Sequence, residues 1–314
     1  MKAFQYSKRE KKNFPFIYLL IAFPVLQFAI FWGYVNFDSI MLAFRTWNGD
    51  WTFENFGKVI EAFVTEDAYG YNLFRTVGRS FLLWAVRNVL VFPISIVTTY
   101  VLYKRVLLHY GFRIIFIVPA LVGGVVWTLL IRSLVSYDGP VLALAERFGL
   151  DIPPLVKRNG LLGSAETAFP TLLVVTFLTG IAGGSPILTG AFSRIPNEIF
   201  DSCKIDGFTF WKEFWHISLP LIWPTIATLL TFAFCSVLTD DCNVFLYSQG
   251  TGEPEMATTG FYLYYMVFRI SNSPLGEKAY NYPAAVGLFL TAFTVPIALT
   301  ARKVLDKVMD NVEL

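Results

Sequence analysis

The chain has 314 residues, of which 55% are hydrophobic, 17% are aromatic and only 15% are charged. Soluble domains carry about 25% charged residues, so this composition, with a mean hydropathy of +0.55, argues against a soluble domain and favours a polytopic membrane protein. The net charge of +2 gives no reason to expect a nucleic-acid partner, and the three cysteines and two histidines have no metal-site or disulfide spacing.

Six apolar runs are long enough for transmembrane helices, which need about 20 mostly apolar residues. The predicted spans cover about 14–36, 80–103, 112–135, 169–192, 218–239 and 282–302. The first run follows the basic segment 1–13 and has no small-residue cleavage site, so we expect a retained span rather than a signal peptide. A shorter apolar stretch, 257–270, is expected to be an outer helix or a short re-entrant segment.

The distribution of lysine and arginine predicts that both termini are cytoplasmic. Cytoplasmic loops of membrane proteins carry an excess of these residues. Of the 25 in this chain, 14 fall in the segments 1–13, 104–113, 193–219 and 302–314. We therefore expect a basic cytoplasmic N-terminus at 1–13, a transmembrane domain at 14–302 with a cytoplasmic loop at 193–217, and a cytoplasmic tail at 303–314.

Charged and aromatic residues separate two apolar runs at 196–220, PNEIFDSCKIDGFTFWKEFWHISLP. The spacing of Ile195, Ile199 and Cys203 predicts a short helix, which Gly207 can end in a left-handed conformation. The aromatic residues that follow predict a second helix, packed against this chain's own spans or in the cleft of a partner. Such an element can dock into a groove on another protein; the alternative is an amphipathic helix lying on lipid headgroups.

This segment resembles the signature loop of the inner-membrane permease subunits of ABC importers. That signature reads E-A-A, three residues, Gly, nine residues, Ile-x-Leu-Pro. Here Asp201-Ser202-Cys203 take the place of E-A-A, Gly207 follows after three residues, and Ile217-Ser218-Leu219-Pro220 follow after nine more. The Ile-Asp-Gly before the bend is similar to that of maltose-type carbohydrate permeases. Further similarity at 41–60, 112–127, 137–149 and 280–290 extends the resemblance, to a first permease of a pair, over nearly the whole chain.

The resemblance implies an all-α polytopic protein of the bacterial inner membrane, with six transmembrane helices, both termini cytoplasmic and the type I ABC importer fold. It implies one half of a translocation path for a sugar or oligosaccharide. The implied partners are a second permease subunit, which makes a heterodimer, two ATP-binding subunits and an extracytoplasmic solute-binding protein. The implied ATPase-coupling residues are Glu198, Asp201, Ser202, Cys203, Asp206, Gly207, Leu219 and Pro220.

The sequence has no G-x-x-x-x-G-K-[ST] phosphate-binding loop. We therefore expect a chain that is not an enzyme and has no cofactor of its own. In this interpretation ATP and magnesium are bound by a separate ATPase chain.

Charged residues inside a span are candidates for function, and Arg87 and Arg132 are such residues. Carboxylates, amides and aromatic rings suit the hydroxyls and apolar faces of sugars. The candidate path residues are Arg87, Asn88, Asp240, Asp241, Asn243 and Tyr247, with Gln27, Trp127 and Thr176 as weaker candidates. Alternatively, Arg87 reaches the outer headgroups or pairs with Asp240 or Asp241, and the acids belong to a solvated loop.

Other functions stay open from the sequence alone. An ABC importer permease for glycerol-phosphate, a peptide or a uronate-containing oligosaccharide would share all these features. A stand-alone secondary transporter would need inverted repeats and ion-coupling carboxylates inside its spans, and a membrane-embedded enzyme would need a catalytic cluster at membrane depth. Neither pattern is evident.

Overall fold

A computed structural model describes residues 8–46, 48–67, 70–104, 111, 122–182, 186–248, 254–271 and 280–310. Within these residues the regular structure is helical, apart from an isolated antiparallel bridge between Arg45 and Trp51. The chain divides into two compact units, Met1–Val59 with Ile270–Phe289 and Ile60–Arg269 with Leu290–Leu314, which are described separately.

The described α-helices are numbered in chain order. They are α1 Lys8–Gln27, α2 Val35–Ala43, α3 Glu54–Val64, α4 Leu73–Ala85, α5 Phe92–Tyr103, α6 Gly124–Leu134, α7 Pro140–Arg147, α8 Pro154–Asn159, α9 Ala165–Ala182, α10 Pro186–Phe192, α11 Asn197–Ile205, α12 Phe210–Glu213, α13 Leu219–Ser236, α14 Val244–Tyr247, α15 Thr259–Ser271 and α16 Asn281–Asp310. Three π-helical segments, Phe28–Tyr34, Val86–Val91 and Phe214–Ser218, join neighbouring α-helices within the described residues.

Five helical stretches of the described chain are long and apolar enough to cross a membrane. They are Tyr18–Ala43, Leu73–Tyr103, Ala165–Ser193, Phe210–Ser236 and Asn281–Val308; residues 183–185 of the third lie outside the description. The shorter apolar helix α6 falls in the predicted third span, whose residues 112–121 also lie outside it. The chain is therefore a multi-pass membrane protein. The stretches Leu73–Tyr103 and Phe210–Ser236 are called the Arg87 rod and the Phe210 rod below.

The helices extend beyond the apolar runs that predict them. The Arg87 rod begins at Leu73 rather than near residue 80, because the Asn72 side chain accepts a hydrogen bond from the Arg75 N–H at 3.1 Å and caps the first turn. At the other end of the chain, α16 continues to Asp310. Hydropathy reports the part of a helix that suits lipid, whereas capping and side-chain pairs decide where the helix itself ends.

Prolines account for the position of two π-helical segments. The N–H groups of Phe92 and Leu219 bond to the carbonyls of Arg87 and Phe214, five residues earlier. Each segment ends two residues before a proline, Pro93 or Pro220. Proline has no N–H and its ring crowds the carbonyl four residues back, so a widened turn before it relieves the clash. Such turns are frequent at functional sites.

In the first unit, two asparagines tie the end of α2 to its surroundings. The Asn55 amide donates to the carbonyls of Ala43 and Arg45 at 3.0 and 2.9 Å, and the Asn281 amide donates to the Thr46 carbonyl at 3.1 Å. The preceding stretch Tyr18–Ala43 buries none of its most apolar window within the chain. Its apolar surface is therefore available to lipid or to another subunit.

An aromatic core of the second unit lies where α5, α10, α11 and the Phe210 rod meet. Tyr100, Phe192 and Phe214 are its most buried large side chains. Elsewhere in this unit, α9 approaches the π segment of the Arg87 rod closely, because Gly180 presents no side chain to Val91.

The stretch 257–270 forms the greater part of α15, which is not among the helices long enough to span. Its start is buried against α4, where Ser80 Oγ accepts a hydrogen bond from the Thr259 N–H at 2.8 Å. Thr259 and Phe261 are fully buried. The helix is thus anchored at its start by packing within the unit.

Substituting Gly180 with alanine should separate α9 from the Arg87 rod, because the added Cβ would lie 2.6 Å from Val91 Cγ1. Overpacking of this kind costs about 1–3 kcal/mol of unfolding free energy, measured by thermal unfolding of the purified protein in detergent. Gly190→Ala is the matched control, since a Cβ there meets no atom within 4 Å. Equal stability of the two variants would contradict close packing at Gly180.

Candidate functional site

The second unit contains a cavity of about 500 Å³ bordered by the Arg87 rod, α6, α9, α14 and the turn that precedes α14. Its lining combines one ion pair, several neutral polar groups and three aromatic rings. The lining residues are Arg87, Asn88, Val91, Phe92, Ser95, Trp127, Thr176, Thr179, Gly180, Asp240, Cys242, Asn243 and Tyr247.

Arg87 and Asp240 form an ion pair at the cavity wall, through Arg87 Nη1 and Asp240 Oδ2. Arg87 lies near the middle of its rod, about 21 Å from Leu73 at 1.5 Å per residue. Of the alternatives left open by the sequence for Arg87, pairing with Asp240 is the one found. A second cavity of about 300 Å³ is also bordered by Arg87, Asn88, Asp240 and Cys242, so the pair lies between two cavities.

The turn at 240–243 is built from short-range hydrogen bonds. Asp240 Oδ1 accepts from the Cys242 N–H at 2.9 Å, and Asp241 Oδ1 accepts from the Asn243 N–H at 3.2 Å. Cys242 and Asn243 have positive φ values of 53° and 60°. Consecutive left-handed non-glycine residues are strained, and such strain is concentrated at functional sites.

The start of α15 supports this turn from behind. A Cβ at Gly260 would lie 2.5 Å from the Thr239 carbonyl oxygen and 2.8 Å from the Asp240 carbonyl carbon. The Thr258 hydroxyl donates to the Asp241 carbonyl at 3.2 Å. Asp240 therefore has little freedom to move away from Arg87.

Five of the six principal path candidates line the cavity, namely Arg87, Asn88, Asp240, Asn243 and Tyr247. The weaker candidates Trp127 and Thr176 also line it. Asp241 lies in the same turn but is not part of the lining, and Gln27 ends α1 in the other unit.

Sequence reasoning missed six of the lining residues, Val91, Phe92, Ser95, Thr179, Gly180 and Cys242. A helical spacing could have found several of them. Ser95 follows Asn88 at two turns, and Thr179 and Gly180 follow Thr176 at three and four residues, which places them on shared helix faces.

The coupling loop of the sequence prediction, 193–217, contains the expected helix, bend and helix. The helix α11 ends at Ile205, and Gly207, two residues later, has a φ of +72°. The Gly207 N–H bonds to the Lys204 carbonyl at 3.2 Å and the Phe208 N–H to the Cys203 carbonyl at 2.9 Å. These two bonds satisfy the last carbonyls of the helix and define a Schellman motif. The sequence therefore predicted this bend correctly.

The implied ATPase-coupling residues fall on two sides of this loop. Glu198, Asp201, Ser202, Asp206 and Gly207 are exposed, whereas Cys203 is buried and Leu219 and Pro220 are half-buried at the start of α13. The Asp201 carboxylate accepts from Lys204 Nζ at 2.8 Å, and this bond raises the pKa of Lys204. The Ser202 hydroxyl donates to the Glu198 carbonyl at 2.9 Å.

A buried ion pair joins the loop to the end of the Arg87 rod. Lys104 Nζ pairs with Glu213 Oε1, and the two side chains are 18% and 9% exposed. The Tyr100 hydroxyl donates to the same Glu213 oxygen at 2.7 Å. Lys104 Nζ also lies 3.6 Å from the centre of the Phe200 ring on α11. Both helices of the loop are thus attached to the rod that carries Arg87.

The aromatic residues of the loop divide between the chain's own core and its surface. The Phe214 ring is buried and lies 4.9 Å from the Tyr100 ring, centre to centre. Trp211 and Trp215 are 53% and 59% exposed, and Ile205 beside the bend is 86% exposed. The loop therefore buries Phe214 in the core of its unit and exposes both large apolar and acidic side chains.

Comparison with solved structures relates this architecture to known proteins. The chain superposes with a TM-score of 0.74 on a chain of a bacterial ABC transporter involved in the import of the acidic polysaccharide alginate, over 96% of this chain and 98% of that one at 21% identity. The chain has the fold of an ABC importer permease. A second structure of a bacterial alginate ABC transporter, in complex with its pentasaccharide-bound periplasmic protein, matches this permease fold with a TM-score of 0.71.

Two curated proteins that are similar to this chain are sugar transport permeases. A multiple sugar-binding transport system permease protein, MsmF of Streptococcus mutans, is 23% identical over 85% of this chain and 87% of its own. The lactose transport system permease protein LacF of Rhizobium radiobacter is 23% identical over 91% of this chain and 94% of its own. No protein-family profile matches the sequence. The resemblance drawn from the loop signature is confirmed by these relatives.

Substituting Glu213 with glutamine should destabilise the permease, because it leaves the Lys104 ammonium without its counter-charge beside the Phe200 ring. Removing one partner of a buried pair costs about 3–5 kcal/mol, measured as the free energy of unfolding in detergent. The control is Glu146→Gln, which breaks the exposed pair with Lys157 and should cost no more than about 1 kcal/mol. A Glu213 variant as stable as this control would contradict a structural role for the pair.

Proposed function

We propose that the chain is the permease subunit of an ATP-driven importer for a sugar or oligosaccharide. It forms one half of the translocation path and is driven by a separate ATPase through alternating access. The single observation that carries the proposal is the attachment of the loop 193–217 to the same rod whose middle borders the cavity.

The cavity supports the assignment of the solute. Asn88, Thr176 and Asn243 offer hydrogen-bond donors and acceptors to sugar hydroxyls, while Trp127 and Tyr247 offer flat apolar surfaces. Ligand sites commonly combine such surfaces with a few placed polar groups. The similarity to the sugar permease MsmF and the lactose permease LacF supports the same solute class rather than a peptide or glycerol-phosphate.

The outer face of the loop supports docking to an ATPase. Its exposed side chains include the large apolar groups of Trp211, Trp215 and Ile205 as well as the carboxylates of Glu198 and Asp206. A helix with an apolar face and flanking acids can enter a hydrophobic groove with basic edges. ATP and magnesium are then bound by the ATPase and not by this chain.

The ion pair of Lys104 with Glu213 supports transmission of force. When the ATPase subunits close, the loop moves, and the Arg87 rod is carried with it as a rigid body. Rigid rotations of packed helices about an interface are a common form of switching. Movement of the rod changes the cavity because Arg87, Asn88 and Ser95 lie on it.

The proposed subunit spans the membrane six times and works in a larger assembly. The chain has six spans in the bacterial inner membrane, with both termini in the cytoplasm, as the lysine and arginine distribution predicts. It pairs with a second, different permease, two ATP-binding subunits and an extracytoplasmic solute-binding protein. The unburied surface of Tyr18–Ala43 is compatible with a helix that packs against the second permease or lipid.

Substituting Gly207 with valine should abolish most ATP-driven sugar uptake by the assembled transporter in proteoliposomes. A β-branched residue is strained at φ +72°, so the angle between α11 and α12 changes and the docking surface is lost. We expect at least a tenfold loss, about 1.4 kcal/mol of coupling.

Gly149→Val is the matched control for this experiment. Gly149 has a φ of +74° and, like Gly207, no atom within 4 Å of an added Cβ, but it lies in the loop after α7. The strain is therefore similar and only the location differs. Uptake that survives in the Gly207 variant, or is lost equally in the control, would remove the coupling function from the loop.

A further inference from the structure

The charges of the larger cavity cancel. Of the described residues that line it, Arg87 and Asp240 are the two that are charged at neutral pH, and they pair with each other. The remaining polar groups, on Asn88, Ser95 and six further residues of the lining, are amides, hydroxyls, an indole and a thiol. Burial, followed by the nearby Asp240 carboxylate, raises the pKa of the Cys242 thiol to about 12, so it too is neutral.

Asp240 is held against Arg87 from several directions. Its Oδ1 accepts from the Cys242 N–H at 2.9 Å while its Oδ2 accepts from Arg87. The close approach of Gly260 to the Thr239 and Asp240 backbone blocks movement away from the cavity. A ligand carboxylate that competes for Arg87 would therefore have to lie beside a fixed carboxylate of the same charge.

We infer that the cavity selects an uncharged oligosaccharide, and that Asp240 is the specificity-determining residue that excludes uronate-containing sugars by occupying Arg87. The inference rests on the proposed sugar-import function and narrows its substrate class. Placing two carboxylates about 4 Å apart in a partly shielded site weakens binding by on the order of 10- to 100-fold. Neutral sugars have no carboxylate, so this repulsion does not weaken their binding. They bind through the polar groups of the lining, which match their hydroxyls, and through its aromatic rings.

Removing the Asp240 carboxylate should shift the binding preference of the cavity toward acidic sugars. In the variant Asp240→Asn, Arg87 keeps its charge without a counter-ion, so it can pair with a uronate carboxylate. The assembled transporter is solubilised in detergent without its solute-binding protein, so that selection by that protein does not enter. Binding of the neutral trisaccharides maltotriose and raffinose and of the acidic trisaccharide tri-galacturonate is measured by saturation-transfer NMR at pH 7.

We expect the wild-type complex to bind a neutral trisaccharide at least about tenfold better than tri-galacturonate. The Asp240→Asn variant should raise the ratio of acidic to neutral binding by at least about tenfold. The double variant Arg87→Gln with Asp240→Asn, which cancels the net charge again, should return the ratio toward the wild-type value. Glu146→Gln, which removes the same charge from an exposed residue of α7 outside the lining, should leave the ratio unchanged.

The outcomes distinguish selection of neutral sugars from sugar import in general. Wild-type preference for tri-galacturonate, or an Asp240→Asn ratio equal to that of Glu146→Gln, overturns neutral selection but leaves sugar import standing. Failure of every trisaccharide to bind, while a dipeptide or glycerol-phosphate does, overturns both. If Asp240→Asn does not assemble, the wild-type preference and the double variant still decide the question.

Discussion

The buried ion pair between Lys104 and Glu213 is the constraint on which the described architecture depends. It joins the last turn of one long rod to the first turn of another, at the place where α11 also packs. A charge pair out of water is stable only when its remaining hydrogen-bonding positions are filled. Tyr100 fills one of them, and the aromatic core around Tyr100 keeps water away. Because the geometry is demanding, the loop and the rod are held in one relative position.

The Arg87 rod connects this ion pair to the cavity. The π-helical turn before Pro93 brings Arg87 and Asn88 to the cavity wall, and the absence of a side chain at Gly180 lets α9 approach it closely. Across the cavity, the strained turn at Cys242 and Asn243 holds Asp240 toward Arg87. The cavity and the contact with the loop thus lie at different positions along one continuous helix, which connects them without a flexible segment.

Much of this arrangement is readable from the sequence, because it depends on local chemistry. Gly207 predicts the left-handed end of α11, the apolar runs predict the membrane helices, and the acids near residue 240 predict the partner of Arg87 among two alternatives. The relatives confirm the family resemblance drawn from the Gly207-to-Pro220 spacing. Because Arg87 and Asn88 are polar residues inside an apolar run, the sequence alone was enough to name them as candidate path residues, and both line the cavity.

The features that sequence reasoning missed depend on tertiary contacts. Lys104 and Glu213 are separated by more than a hundred residues, and both read as ordinary charges of loops facing water. Nothing local distinguishes Gly180, whose importance comes from Val91 on another helix. The capped start at Leu73 was missed because hydropathy does not detect a helix turn with two arginines. The turn at Cys242 was missed because cysteine rarely adopts a positive φ.

The central claim is that the loop and the Arg87 rod move as one body, and a distance between them tests it most directly. Spin labels at Lys204 on α11 and at Val89 beside Arg87, both exposed, report this distance in the assembled transporter by pulsed electron resonance. Labelling of Thr176→Cys from the aqueous phase establishes in parallel that the cavity has changed its access. The account predicts that the distance shifts by less than about 2 Å between the nucleotide-free and vanadate-trapped states. A larger shift that accompanies the change in access would contradict it.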